Sequence, residues 1–308
     1  MSRVKHAIFL LNKKFFSIRI FFGLSRLSKK RIVLAEFQVK SSSANRTITL
    51  VNDKVILPNI ARYGVWDQPT SDFFSRKISS YSDGGKSVFI DIGANQGLIS
   101  RQINDSLNQQ GLDNEKLHFE LIEPNPLYLY TAIRNTSDIE QARYLNYALV
   151  DNSQELMEDV QNSTLYFTSY NASATLTPGT LYNMTGMIKN PSTIPIKTKS
   201  CSTYVQEFID RFPGAKIFMK SDTDGNCLKI LREMSNEKEF FQHIKAFEIE
   251  INFELELQNV DERIFILDLV SKYSEVNLLF KSTSHTGEDA KEVLRSRTMG
   301  AANLQCSI

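Results

Sequence analysis

Cysteine is scarce in this sequence, with three in 308 residues, at Cys201, Cys227 and Cys306. They are far apart, and no Cys-x-x-Cys pair or Cys/His cluster occurs. That spacing argues against a disulfide framework and against a structural zinc site, and it implies a reducing, cytoplasmic compartment. Long apolar runs are also missing. No stretch approaches the roughly 20 residues of a membrane span, and "HAIFLL" is shorter than a signal-peptide core. Without a secretory signal, the Asn-x-Ser/Thr matches at Asn45, Asn104, Asn135, Asn162, Asn171 and Asn183 read as chance. A dominant charge is absent as well. The formal net charge is +1, so no overall field points to nucleic acid, and no nucleic-acid partner is expected. Internal repeats are absent. The length suits one large domain or two small ones with a real core.

Acidic residues are missing from one region in particular. Residues 1–35 hold nine of the 36 Lys and Arg residues and none of the 35 acids. Val4, Ile8, Leu11, Phe15, Ile18 and Phe22 recur there at helical spacing. A basic amphipathic helix of this kind either lies on the inner face of an anionic membrane or packs on the main domain with its charges in water.

What is present is a strand–helix rhythm. Residues 36–60 alternate weakly and suggest a short strand pair, and a loop then enters a helix near residue 70. From residue 81 onward the chain alternates. "SVFIDIG", "KLHFELIEP", "ARYLNYALVD", "AKIFMKSD", "IKAFEIEIN" and finally "VNLLFK" read as strands, with helical segments between most of them. Near-continuous apolar strands alternating with helices imply a mostly parallel sheet covered on both faces. Three segments are therefore expected: the basic N-terminal segment 1–35, a strand/helix lead-in 36–80, and a main α/β domain 81–308. Inside the last, residues 152–200 are rich in Ser, Thr and Asn and read as a long irregular insertion before the fourth strand. Such insertions are usually functional, and Tyr166, Tyr170, Ser173 and Thr175 make it the candidate acceptor wall.

The chemistry concentrates in "VFIDIGANQGLIS", residues 88–100. An acid, Asp91, precedes a turn containing Gly93, Ala94, Asn95 and Gly97, at the carboxyl edge of the predicted sheet, where ligands of open α/β folds bind. A P-loop requires Gly-x-x-x-x-Gly-Lys-Ser/Thr, and a dinucleotide fingerprint requires Gly-x-Gly-x-x-Gly; neither is present. The acid suits a cationic ligand better than a pyrophosphate. S-adenosylmethionine offers a sulfonium and an ammonium, and a second acid at the next strand end, Glu123, is placed to accept both ribose hydroxyls.

"FIDIGANQG", "LIEPNP", "LNYALVD" and "MKSDTDG" together resemble the FkbM-type S-adenosylmethionine-dependent methyltransferases, over roughly residues 80–255. The resemblance implies a Rossmann-like class I methyltransferase fold and places the methionine part of the cofactor at Asp91, Gly93, Ala94, Asn95 and Gly97. It places the ribose at Glu123 and the adenine near Asn146 and Ala148. It further implies O-methylation of a hydroxyl on a sugar, glycan or secondary metabolite. At the fourth strand the pattern departs: Lys220, Asp222 and Gly225 match, but Asp224 replaces a Glu and Cys227 stands where a second Glu is common.

A sugar hydroxyl is a weak acid, so a base or a divalent metal must help remove its proton. Asp222 and Asp224 are candidates for either role, as base or as ligands of an Mg2+ ion. His285, in the polar stretch "KSTSHTGED", is a third candidate base. Cys227 reads as a small buried residue. The acids of "FEIEINFELEL" are expected to point outward, with Glu250 alone placed to face the site. The alternative function is a non-catalytic S-adenosylmethionine-binding module in a glycan-assembly complex, and a nicotinamide dehydrogenase is a third reading.

Overall fold

The computed structural model describes residues 18–23, 32–40, 45–51, 55–81, 84–112, 116–151, 161–167, 174–175, 192–280, 283–297 and 300–308. Its first described elements form an antiparallel meander of β1 (Ile18–Gly23), β2 (Ile32–Lys40) and β3 (Asn45–Val51). This corrects the helix expected to run through Phe22: Ile18 to Gly23 pair with Phe37 to Ile32. A run of β-branched and aromatic residues suits a pleated ladder as well as it suits a helical stripe. Residues 1–17, with most of that stripe, lie outside the described residues. The strand pair expected over 36–60 is met in part: residues 36–40 and 45–51 lie in β2 and β3, whereas residues 56–60, also read as strand, are helical. After it come α1 (Ile56–Tyr63) and α2 (Gln68–Ser80).

The predicted alternation then appears as β4 (Ser87–Ile92), α3 (Leu98–Gln109), β5 (Leu117–Ile122), α4 (Pro126–Asn135) and β6 (Ala142–Leu145). Every residue of β4 is buried, which explains its near-continuous apolar composition. The stretch "ARYLNYALVD" is not one strand. It breaks at Asn146 and Tyr147, and β7 (Ala148–Val150) leaves for a second sheet. That sheet, ordered β7-β10-β8-β9, is built from β8 (Gln161–Phe167), β9 (Ala174–Thr175) and β10 (Ser192–Ser200). The described part of the insertion, residues 161–167, 174–175 and 192–200, is therefore more regular than expected. "STLYF" and "TIPIKT" carry β-branched and aromatic residues of the kind that suit strands, beneath a polar composition.

The chain returns through α5 (Cys201–Arg211), β11 (Lys216–Ser221), α6 (Cys227–Ser235), α7 (Lys238–Phe241), β12 (Ile244–Asn252) and α8 (Val260–Val270). It continues through β13 (Glu275–Leu279), β14 (Ser284–Thr286), α9 (Gly287–Ser296) and β15 (Ala301–Ser307). "VNLLFK" is thus not the last strand. The small, weakly apolar "AANLQCS" gave no strand signal, yet it forms β15 between β12 and β13, antiparallel to both. The main sheet runs β6-β5-β4-β11-β12-β15-β13-β14, with β6, β5, β4, β11 and β12 parallel. The structure is an α/β fold with a mostly parallel, Rossmann-like central sheet. From β4 the chain winds outward through β5 and β6, then crosses to β11 on the other side. The crevice between β4 and β11 is the topological switch point, where such sheets bind ligands.

One sheet face packs Val88, Ile90, Met219 and Phe247 against α5 and α6; the other packs Phe89, Phe119 and Phe218 against Phe73 and Phe74 of α2 and Ile103 of α3. The meander is fastened to this body. Asn135 accepts from Thr49 N (2.7 Å) and donates to Thr49 O (2.9 Å), and Gln96 Oε1 accepts from Val51 N (2.7 Å). Among the described residues no helix is long and apolar enough to cross a membrane.

Candidate functional site

Beyond Ile92 the backbone takes positive φ at Gly93 (74°), Asn95 (51°) and Gly97 (71°). Gly93 has no room for a side chain, and Gly97 is tightly crowded. A Cβ on Gly93 would lie 1.9 Å from Asp222 O, and one on Gly97 would lie 3.0 Å from Ala132 Cβ. The first glycine lets the loop meet the exit of β11 at the switch point. The second lets α3 start directly against α4. Gly93 N and Ala94 N both donate to Ile122 O at 3.0 Å, which ties the loop to β5.

Asp91 lies beneath this loop, 1% exposed, and is not among the residues that line the cleft. Its Oδ2 accepts from Ser100 Oγ (2.8 Å) and its Oδ1 faces Lys220 Nζ at 3.3 Å. Lys220 is itself buried, 3.4 Å from Gly93 O and 3.6 Å from Asp222 Oδ2. Burial alone would lower its pKa, but Asp91, Asp222 and Glu248 outweigh that and hold the ammonium above its usual value. Asp91 therefore acts on the loop through Lys220 and Ser100.

Glu123 reaches the cleft. Its Oε2 accepts from Asn95 N and its Oε1 from Asn125 N, each at 2.8 Å. Burial pushes its pKa up to about 7 against the opposing pull of those two amides and of Lys220. The amides fix both oxygens and leave each with a further lone pair. Asn146 is exposed and props this turn, donating from Nδ2 to Glu123 O (2.9 Å) and Pro124 O (3.0 Å). It does not line the cleft, whereas Ala148 does.

At the opposite end, Asp222, Asp224 and Glu250 line the cleft. The Asp222 side chain is 51% exposed. Asp222 first, then burial and Asp224, raise the pKa of Glu250 well above the usual carboxylate range. Cys227 is fully buried, as its composition suggested. Its Sγ accepts from Thr223 N (3.2 Å) and donates to Ser221 O (3.3 Å), pinning the turn between β11 and α6. His285 stands on β14, not in a loop. Its Nδ1 lies 2.7 Å from Asp289 Oδ2 and its ring packs edge-on to Phe280; it is not among the cleft-lining residues. Among the described residues no group of three or more His, Cys, Asp or Glu side chains is arranged to hold a metal ion.

Three polar residues escaped sequence reasoning. Asp67, in the left-handed conformation (φ 40°) before α2, lines the cleft. Thr70 follows in the first turn of α2. Glu248, expected to point outward, is 2% exposed. Period-two alternation marks an outward face only where one face of a sheet is solvated, and β12 is covered on both. The cleft itself measures about 860 Å3, at the upper end of small-molecule sites. Val55, Tyr63 and Trp66 from the lead-in also line it. From the described part of the 152–200 insertion, Leu165 contributes. Tyr166 is half-buried, Tyr170 and Ser173 lie outside the described residues, and Thr175 is described by its backbone in β9.

Neither a protein-family model nor a curated protein sequence matches the chain. Solved structures with a distant likeness include a precorrin-6y C5,15-methyltransferase from Geobacter metallireducens, at 8% identity and TM-score 0.33, covering 76% of this chain and 86% of that one. Another is an S-adenosylmethionine-dependent O-methyltransferase from Thermotoga maritima, at 8% identity and TM-score 0.35, covering 87% and 76%. A third is the tRNA methyltransferase TrmI from Aquifex aeolicus, at 9% identity and TM-score 0.32, covering 94% and 95%.

Proposed function

We propose that the protein is an S-adenosylmethionine-dependent methyltransferase of the FkbM type, acting on a hydroxyl of a sugar, glycan or secondary metabolite. The observation that carries this reading is Glu123. Its carboxylate is clamped by two backbone amides at the end of β5, beside a glycine loop with no room for a side chain at Gly93, at the switch point of the sheet. A carboxylate so fixed suits the two hydroxyls of a ribose. Gly93, Ala94 and Asn95 of the loop line the cleft beside it. Ala148 and Leu149 give an apolar wall for the adenine.

When bound, the cofactor supplies an electrophilic methyl group. The chain's part is to align the acceptor for in-line attack and to keep water away from it. Asp222, exposed next to Gly93, is the group that orients the acceptor hydroxyl. Tyr63 and Trp66 from the lead-in would cover its apolar face.

Calorimetric titration with S-adenosylhomocysteine and, separately, with NAD tests the reading. Binding of the former and not of the latter is expected; the reverse result would point to a dehydrogenase. Release of S-adenosylhomocysteine with a panel of glycosides as acceptors then separates an enzyme from a non-catalytic binding module.

A further inference from the structure

Thr70 stands where one proton must serve two acceptors. The residue is fully buried, and its Oγ1 lies 2.8 Å from Asp67 Oδ2 and 2.6 Å from Glu248 Oε1. A hydroxyl has a single proton to donate. With both carboxyls ionised, one of these contacts would set lone pair against lone pair at hydrogen-bond distance. The geometry therefore calls for one additional proton on the two carboxyls.

Its seat follows from the other donors. Glu248 accepts from Asn303 Nδ2 (3.1 Å) and Gln305 Nε2 (2.6 Å) in addition to Thr70. Those two neutral donors come from β15. Lys220 of β11 adds its positive charge, itself shared with Asp91 of β4. Asp67 has two donors, the hydroxyl and the backbone N–H of Thr70, against three side-chain donors on Glu248, and it faces both Lys220 and the negative charge of Asp222. Burial raises the pKa of both acids, that of Glu248 to about 7. The proton thus rests on Asp67, Asp67 donates to Thr70, and Thr70 donates to a Glu248 carboxylate. Asp67 is the member that opens onto the cleft, alongside Gly93 and Asp222.

We propose that Asp67, Thr70 and Glu248 form a relay that draws the acceptor's hydroxyl proton from the cleft into the sheet, a role that rests on the methyl-transfer reading above. As the acceptor oxygen bonds to the methyl carbon, the S–C bond breaks and its electron pair stays on sulfur, which becomes a neutral thioether. The acceptor's proton passes to Asp67, the Asp67 proton to Thr70, and the Thr70 proton to Glu248, whose charge is neutralised. Water entering the emptied cleft takes the proton back along the same path. Asp67 is the relay's contact with substrate; Thr70 and Glu248 act through it.

The held proton is open to a test that needs no acceptor. Infrared difference spectra of the full chain at pH 7, wild type minus Asp67→Asn, should show one carboxylic-acid C=O band. Asn tolerates the left-handed backbone at this position, so the variant keeps its fold. S-adenosylhomocysteine binding is measured on the same samples. With glycosides as acceptor probes, Thr70→Val should lower kcat by about 10²-fold, the lower end for general acid–base groups, and leave the cofactor KM unchanged. Thr70→Ser, which keeps the hydroxyl, should recover most of the rate. An absent band in a chain that binds S-adenosylhomocysteine overturns the relay and leaves the methyltransferase reading standing. Wild-type turnover by Thr70→Val overturns it equally. A band that Asp67→Asn removes, in a chain that does not bind S-adenosylhomocysteine, keeps the shared proton but removes its proposed use.

Discussion

The two ends of the cleft treat their acids in opposite ways. At the β5 end, Glu123 is met by backbone amides, donors that belong to the fold and cannot move away. At the β11–β12 end, Asp222, Asp224 and Glu250 face one another, with Glu248, Asp67 and Asp91 arrayed behind around a single buried Lys220. Rigid neutral donors make a carboxylate a fixed acceptor, which is a binding device. Crowded carboxylates around one cation make protons easy to gain and lose, which is a chemical device.

Removing the cation should break this contrast most severely. Lys220→Met leaves Asp91 and its neighbours buried without compensation, and unfolding stability should fall by about 3–5 kcal/mol, as when one partner of a buried pair is lost. Urea denaturation measures it, and a loss under 1 kcal/mol would mean the acids are already neutral. Next in size, Asp222→Asn should lower kcat by about 10²-fold, the scale of a lost orienting contact, with S-adenosylhomocysteine affinity almost unchanged. A variant that loses affinity and keeps kcat would merge the two ends into one binding site.

Smaller effects test the β5 end. Glu123→Ala should weaken S-adenosylhomocysteine binding by about 1–3 kcal/mol, the scale of hydrogen bonds to a charged group, without affecting turnover at saturation. Unchanged affinity in the folded variant would place the ribose elsewhere. The pH dependence should be the mildest difference. The pKa of Glu123 is raised to about 7, so the carboxylate proposed to accept the ribose hydroxyls is present above that pH and protonated below it. Affinity should therefore weaken as pH falls from 8 to 6, by about three- to tenfold for a group of this pKa. Turnover under saturating cofactor should fall over the same range through Glu248, whose pKa is also near 7. Binding and turnover thus report the two ends separately, and Glu123→Gln should flatten only the first.

The β5 end was the legible one. Its chemistry is local: glycine turn and strand-end acid lie within 31 residues, 93–123, and the apolar run of β4 announces their position. At the other end the partners come from five places in the chain. Asp67 and Thr70 sit before β4 in a stretch that reads as a loop entering a helix, and Asn303 and Gln305 lie on a strand of small residues with no apolar run. No periodicity links positions 178 residues apart. Even Asp91 was legible in place more than in role, because nothing in the motif reveals that Lys220 and Ser100 would claim both of its oxygens.

β15 gives this arrangement an order in time. Among the described residues it is the strand that bridges β12 and β13 in the main sheet, so both strands keep an open edge until residues 301–307 have been synthesised. Open parallel-sheet edges are templates for mispairing, and pairings of such sequence separation form slowly. A nascent chain can synthesise the end proposed to hold the ribose, from β4 to α4, while the side-chain amides that steady Glu248 are still unmade. During synthesis the protein should pass through a stage able to grip a nucleoside but unable to manage a proton.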